Sequence, residues 1–223
     1  MLMAMLKRWR RGGGRSDHRQ MTASDSLPAD FLERLRALED SYCAQTDPIR
    51  QSGFGGGPQR WRAEREPILD AVDTDSDFLD VGCANGYLLE CLVAWAGERG
   101  YRLTPHGLDF GPRLIQMARE RLPDSAPNFH VGNAWDWRPP RTYRYVYTLL
   151  DCVPEEYLRE YCRRLLERMV EQGGKLIIGM YGSRSKHIPP IDLGERLAQL
   201  GFDVQGTSYG GTPPLTVFGW IVR

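Results

Sequence analysis

The stretch FLDVGCANGYLLECLVAWAG, residues 78–97, passes from an apolar run through a small-residue loop directly into a helical pattern. A strand that ends in such a loop and continues as a helix brings backbone N–H groups and a helix N-terminus to one point. Repeated along a chain, that junction builds a parallel, doubly wound sheet whose ligands sit beyond the carboxyl ends of the strands. Gly82 and Gly86 are read as permitting close backbone approach, which suits a nucleoside-bearing ligand. A dinucleotide loop needs G-x-G-x-x-G to admit its pyrophosphate. Here Ala84 and Tyr87 stand at the second and third glycines, so a nicotinamide dinucleotide is disfavoured.

Strand and helix patterns alternate along most of the chain. Phe31, Leu35, Leu38 and Tyr42 form one helical stripe over residues 30–45, with Asp30 read as its N-cap and Glu33 as the capping-box partner. Gly53, Gly55, Gly56 and Gly57, between Pro48 and Pro58, read as a flexible loop that exposes Phe54 and serves as lid or linker. A helix over 61–72 restarts at Pro67. Strands are expected at 78–81, 103–110, 129–131, 143–151 and 174–182. Helices are expected after Gly86, stopping at Gly97, and after Gly111 with Pro112 in the first turn. A longer helix starts at Pro154 and stops at Gly173, and another is boxed from Asp192 to Glu195 and stopped by Gly201. Two final runs, 202–210 and 214–223, are joined by a Gly/Pro turn and read as an antiparallel hairpin. The expected fold is α/β: a doubly wound, mostly parallel seven-stranded sheet with an antiparallel C-terminal hairpin and helices on both faces. It divides into a tail (1–29), an N-terminal helix with a lid-like glycine loop (30–60), and a catalytic-sized domain (61–223).

The 223 residues suffice for one domain with a substantial core. No apolar run approaches the roughly 18 residues that cross a bilayer, so no membrane association is expected. Charge balances at 29 against 29, but residues 1–20 hold six Lys/Arg and one Asp, leaving 23 against 28 in the remainder. A mildly acidic body argues against a broad nucleic-acid face. In the first twenty residues apolar positions precede basic ones, the reverse of a secretory signal. Met21, followed by TASDSLPADF, reads as a more natural start. Five cysteines, odd in number, scattered and never spaced C-x-x-C, read as reduced thiols of a cytoplasmic protein without a disulfide framework or metal site.

From the helix before Phe78 to the C-terminus, the element order and the motif LDVGCANGYLLE resemble the class I S-adenosylmethionine-dependent methyltransferases, with Ala84 at the middle glycine of their G-x-G-x-G loop. The resemblance implies S-adenosylmethionine as cofactor and methyl transfer to a nucleophilic O, N or C atom. By the same resemblance Asp80 orders the loop and faces the methionine amine, while Gly82, Cys83, Ala84 and Gly86 pass under the ligand with Asn85 at the loop tip. Asp109 accepts both ribose hydroxyls, Phe110 flanks the adenine, and Asn133 and Ala134 contact it. Leu150 and Asp151 form the floor beneath the sulfonium. Trp135 either stacks on the cofactor or fills space, and Arg62 either pairs with the ligand carboxylate or stays solvated. Duller roles stay open for others: Asp109 and Asp151 as helix caps, Asn133 as a turn residue.

In-line methyl displacement depends mainly on positioning, so the resemblance names no obligatory catalytic side chain. Candidate bases are Asp151, Tyr181 and His187. The N-P-P-Y signature of amide and exocyclic-amine acceptors is absent where strand four ends in LLDCVP. The additions to the core, residues 30–60 and the segment with Arg184, Lys186 and His187, are modest and suit a small-molecule acceptor. Two rival expectations are an RNA or protein methyltransferase recruited by the tail KRWRRGGGR, and a cofactor-binding protein without transferase activity.

Overall fold

Seven strands form one sheet in the order β3-β2-β1-β4-β5-β7-β6. The computed structural model describes residues 26–182 and 192–223, so the basic tail and the segment carrying Arg184, Lys186 and His187 lie outside the described residues. The strands are β1 (Ser76–Val81), β2 (Leu103–Asp109), β3 (Phe129–Val131), β4 (Tyr143–Leu149), β5 (Val170–Tyr181), β6 (Gly206–Gly210) and β7 (Thr216–Val222). β1 to β5 are parallel, and β7 runs antiparallel to both β5 and β6. The described helices are α1 (Ala29–Cys43), α2 (Pro48–Gln51), α3 (Pro58–Arg65), α4 (Tyr87–Glu98), α5 (Pro112–Arg121), α6 (Leu158–Arg168) and α7 (Leu193–Gln199).

Alternation along the strands divides the core. Phe78, Tyr145, Tyr147, Ile177 and Phe218 face α4, α5 and the segment from Ile49 to Val72. Leu79, Val81, Val146, Leu176, Ile178 and Val217 face α6 and α7. With both faces covered, β1 buries Phe78, Leu79 and Val81 and β4 buries Tyr143, Tyr145, Val146 and Tyr147, the double-sided burial expected of inner strands in a parallel sheet. The chain winds from β1 outward through β2 to β3, then returns to β4 on the other side of β1. The order therefore reverses between β1 and β4, and a crevice opens beyond their carboxyl ends.

Several local expectations are corrected. Pro28, not Asp30, is the N-cap of α1, which has no side-chain cap; the Phe31 and Leu32 N–H groups bond Pro28 O, both at 3.1 Å. The glycine-rich stretch is preceded by α2, capped by Asp47, and Phe54 is buried against Trp61 rather than exposed. α4 runs through Gly97 to Glu98. The helix expected from Pro154 begins as a 3-10 turn, Glu155–Tyr157, and α6 ends at Arg168. Val170 already pairs with Tyr143, and the next β4–β5 partners are Tyr145 and Lys175. Gly173, at φ +76, thus belongs to an irregularity inside β5 and stops no helix. α7 is capped as expected, the Asp192 carboxylate accepting the Glu195 N–H at 2.9 Å.

Candidate functional site

The loop after β1 is tied to β2 through Asp109, the last residue of that strand. One carboxylate oxygen of Asp109 accepts the Ala84 N–H at 2.8 Å and the other accepts the Gly111 N–H at 2.8 Å. Each oxygen keeps a second lone pair, so two neighbouring hydroxyl donors still find acceptors there. Asp109 caps no helix; Gly111 occupies the N-cap of α5, and Glu39 of α1 supplies the missing acceptor by taking the Arg113 N–H at 2.8 Å. Burial raises the Asp109 pKa, and the bonds from Gly111 and Ala84 oppose that rise.

The loop's small residues serve different ends. Gly82 adopts φ +94, and a side chain there would press on the Cys152 thiol. Gly86 is held open for a neighbouring helix rather than for a ligand: an added Cβ would lie 2.9 Å from that of Ala118. Ala84 sits at φ +46, the left-handed region that favours glycine. The Cys83 side chain turns down over Gly107 of β2. Asn85 is not a free loop tip. Its amide donates to Pro48 O at 3.1 Å and Gln51 Oε1 at 3.0 Å, and its carbonyl oxygen accepts the Tyr87 N–H at 3.2 Å. Asn85 thereby fastens α2 to the loop with both of its side-chain N–H groups.

Asp80 is the exceptional group. It lies between Gly107 and Tyr147 in the sheet register and is 2% exposed. Among the described residues its carboxylate has no hydrogen-bond partner, and burial, reinforced by the Asp109 charge, raises its pKa to about 8. The Asp80 charge is felt by the hydroxyls of Tyr147 and Tyr181, which bond each other at 2.5 Å. The same two hydroxyls feel Arg65, a residue that sequence reasoning passed over. Arg65 is 5% exposed; its guanidinium lies 3.8 Å from the Tyr181 ring centroid, 4.8 Å from Phe54 and 5.0 Å from Trp61. Its nearest carboxylate oxygen, on Glu64, is 3.9 Å away. The usable signal was the four-residue spacing from Trp61, which sets both on the buried face of α3. Arg62, the sequence candidate, is engaged elsewhere, with Glu66 at 2.7 Å and Glu98 at 2.5 Å on the surface.

Asp151 sits in the 3-10 turn Leu150–Cys152 that follows β4 and caps no helix. Burial raises its pKa to about 6. Leu150 packs with the core beneath α6. Tyr42 of α1 reaches over this turn; burial, then Asp151 and Asp109, push its phenol further toward the neutral form. Gly53 leaves the room, since a Cβ there would overlap the Tyr42 hydroxyl.

The remaining sequence candidates divide. Phe110 lies beside the site with Arg36 of α1 5.8 Å from its ring centroid. Asn133 is a turn residue, its side chain accepting the Trp135 N–H at 2.9 Å. Trp135 is a packing residue: 2% exposed, edge-on to Tyr157 and stacked under Arg164 at 3.9 Å. Ala134 packs in the same cluster. Tyr181 is in the site, while His187 lies outside the described residues.

No protein-family model matches the chain. A 67-residue stretch is 39% identical to the malonyl-[acyl-carrier protein] O-methyltransferase of Acetivibrio thermocellus, taking in 28% of this chain but only 22% of that protein. A DhpI-SAM-HEP complex superposes with TM-score 0.58 at 19% identity, covering 91% of this chain and 100% of the other. A SAM-dependent methyltransferase from Geobacter sulfurreducens in complex with S-adenosyl-L-homocysteine gives TM-score 0.55 at 16% identity over 84% of this chain and 98% of the other. The chain has the class I S-adenosylmethionine-dependent methyltransferase fold, closing antiparallel hairpin included. Among the described residues no helix is long and apolar enough to cross a membrane.

Proposed function

We propose that the protein is an S-adenosylmethionine-dependent methyltransferase acting on a small-molecule acceptor. The observation that carries this reading is the buried Asp80 carboxylate, without a hydrogen-bond partner among the described residues, together with a buried Arg65 that acts on the same Tyr147 and Tyr181 hydroxyls as Asp80 does. An α-amino acid zwitterion satisfies both: its ammonium bonds Asp80 and its carboxylate bonds Arg65. The free lone pairs of Asp109 suit adjacent ribose hydroxyls, so amino acid and sugar recognition lie on either side of Gly82. S-adenosylmethionine unites those two parts and supplies an electrophilic methyl group on a sulfonium.

The chain's own part is to bind and orient. Asp109 holds the loop through Ala84 and Gly111, and α1 and α2 cover the site through Tyr42, Glu39 and Asn85. This cover acts as a lid that excludes water and leaves room for a small acceptor rather than a polymer. Free thiols spread over the fold fit a reducing compartment such as the cytoplasm. Calorimetric titration with S-adenosylmethionine, S-adenosylhomocysteine and NAD tests the cofactor, and release of S-adenosylhomocysteine with pooled small acceptors tests the transfer. Binding of NAD alone, or cofactor binding with no acceptor-dependent product, would overturn the respective half.

A further inference from the structure

The chain from Leu27 to Phe54 passes from one face of the sheet to the other. Leu27, with Phe31 and Leu32 beside it, packs in the core beneath α6, whereas Ile49 and Phe54 belong to the core beneath α4. Between these anchors it is bonded to the start of α5 and to the loop after β1, so it crosses at the carboxyl ends of the strands, over the crevice. α1 makes most of that crossing with 15 residues, about 22 Å of helix.

The two helices of the crossing are held in different ways. α2 is pinned: Ile49 is buried, and the fully buried Asn85 donates to Pro48 O at 3.1 Å and to Gln51 Oε1 at 3.0 Å. Gln51 in turn donates to Gln45 O at 2.8 Å, bracing the turn that joins α1 to α2. α1 has no comparable apolar anchor. Between Leu27 and Cys43 the buried side chains are Leu27 itself and Glu39, while Phe31, Leu35, Leu38 and Tyr42 are half-buried. The Glu39 carboxylate accepts the Arg113 N–H at 2.8 Å and lies 3.6 Å from the Arg113 Nε, and Asp40 pairs with the same guanidinium. Gly111 leaves the room, since a Cβ there would stand 2.9 Å from a Glu39 carboxylate oxygen.

Resting on the cofactor reading above, we infer that α1 is a gate over the crevice that pivots on α2, with Glu39 as its latch on α5. It opens when Glu39 lets go of Arg113. A helix with so little apolar burial belongs to the low-stability part of a fold, from which lids are drawn. The latch uses neither the Asp80 carboxylate, the Arg65 guanidinium nor the spare lone pairs of Asp109, so it closes without help from a ligand. The gate therefore governs how fast S-adenosylmethionine enters and S-adenosylhomocysteine leaves, rather than how tightly either is held.

Stopped-flow binding of S-adenosylhomocysteine, read by intrinsic tryptophan fluorescence, provides the test. E39A should raise the association and dissociation rate constants together, each roughly tenfold for the loss of one buried charge-assisted bond, and leave the affinity unchanged. E39Q, which keeps the acceptor oxygen and loses the charge, should fall between E39A and wild type. A Cβ at Gly111 would lie 3.1 Å from the Glu39 Cγ, a spacing that a disulfide spans. Oxidised E39C/G111C should slow both steps by about tenfold or more, and dithiothreitol should restore them, with wild type oxidised in parallel as the control. E39A that weakens affinity without speeding association, a stapled protein that exchanges ligand as fast as its reduced form, or a disulfide that does not form overturns the inference. Wild-type protein that fails to bind S-adenosylhomocysteine removes the cofactor reading instead, so the two failures are distinct.

Discussion

Replacing Asp80 with Asn should stabilise the ligand-free protein at neutral pH while crippling its affinity for the cofactor. Burial and the Asp109 charge raise the folded-state pKa of Asp80 from 3.8 to about 8. Between those values the folded protein holds a proton that the unfolded chain has released, so stability falls as pH rises from about 4 to about 8. Asn cannot ionise and removes that slope. About 1.4 kcal/mol per pH unit over roughly three units puts the D80N advantage at pH 7 near 4 kcal/mol relative to its value at pH 4. Urea unfolding of both proteins from pH 4 to pH 8.5 measures it as a difference, in which the contributions of His106, His130 and Asp151 cancel. Binding should show the converse. An ammonium set against Asp80 favours the carboxylate, so S-adenosylhomocysteine should release close to one proton at pH 7, detectable by calorimetry in buffers of different ionisation enthalpy. A stability difference that does not change with pH, together with no proton release, would refute the placement of an unpaired carboxylate at the end of β1.

Four further outcomes are expected. Asp109→Ala should weaken S-adenosylhomocysteine binding by about 1–3 kcal/mol in calorimetry through lost hydroxyl bonds. Arg65→Met, which keeps the apolar stem among Phe54, Trp61 and Tyr181, should cut affinity for S-adenosylhomocysteine more than for adenosine, which lacks the carboxylate. Ala84→Gly should raise stability by about 0.5–1 kcal/mol in urea unfolding, since relief of the left-handed backbone outweighs the added chain entropy. Gly86→Ala should cost about 2 kcal/mol or more, because its Cβ meets that of Ala118 at 2.9 Å, and the loss should appear in unfolding rather than in intrinsic affinity.

What sequence made legible was the part governed by local period and loop chemistry. The strand–loop–helix junction at residue 78, the stripe of α6, the Asp192 box and the closing hairpin all follow from neighbours along the chain. The misreadings have long-range causes. Gly173 looked like a helix stop, but pairing of Val170 with Tyr143 decides where β5 begins. Phe54, set among glycines, looked exposed until Trp61 and Arg65 closed around it. Arg62 and Arg65 were alike in composition; Glu66, four residues on, captures the first, and only the buried face of α3 singles out the second. Asn85 was rightly placed in the loop, yet its partners, Pro48 and Gln51, lie far upstream. No local pattern announces that the N-terminal helices fold back over the strand ends.

A crystal structure with S-adenosylhomocysteine soaked in would examine the site as a whole. The ligand should lie against Gly82 to Ala84, its amine on Asp80, its carboxylate on Arg65 and its ribose hydroxyls on Asp109. Density for that compound anywhere else, or an Asp80 carboxylate still without a partner beside it, would contradict the assignment.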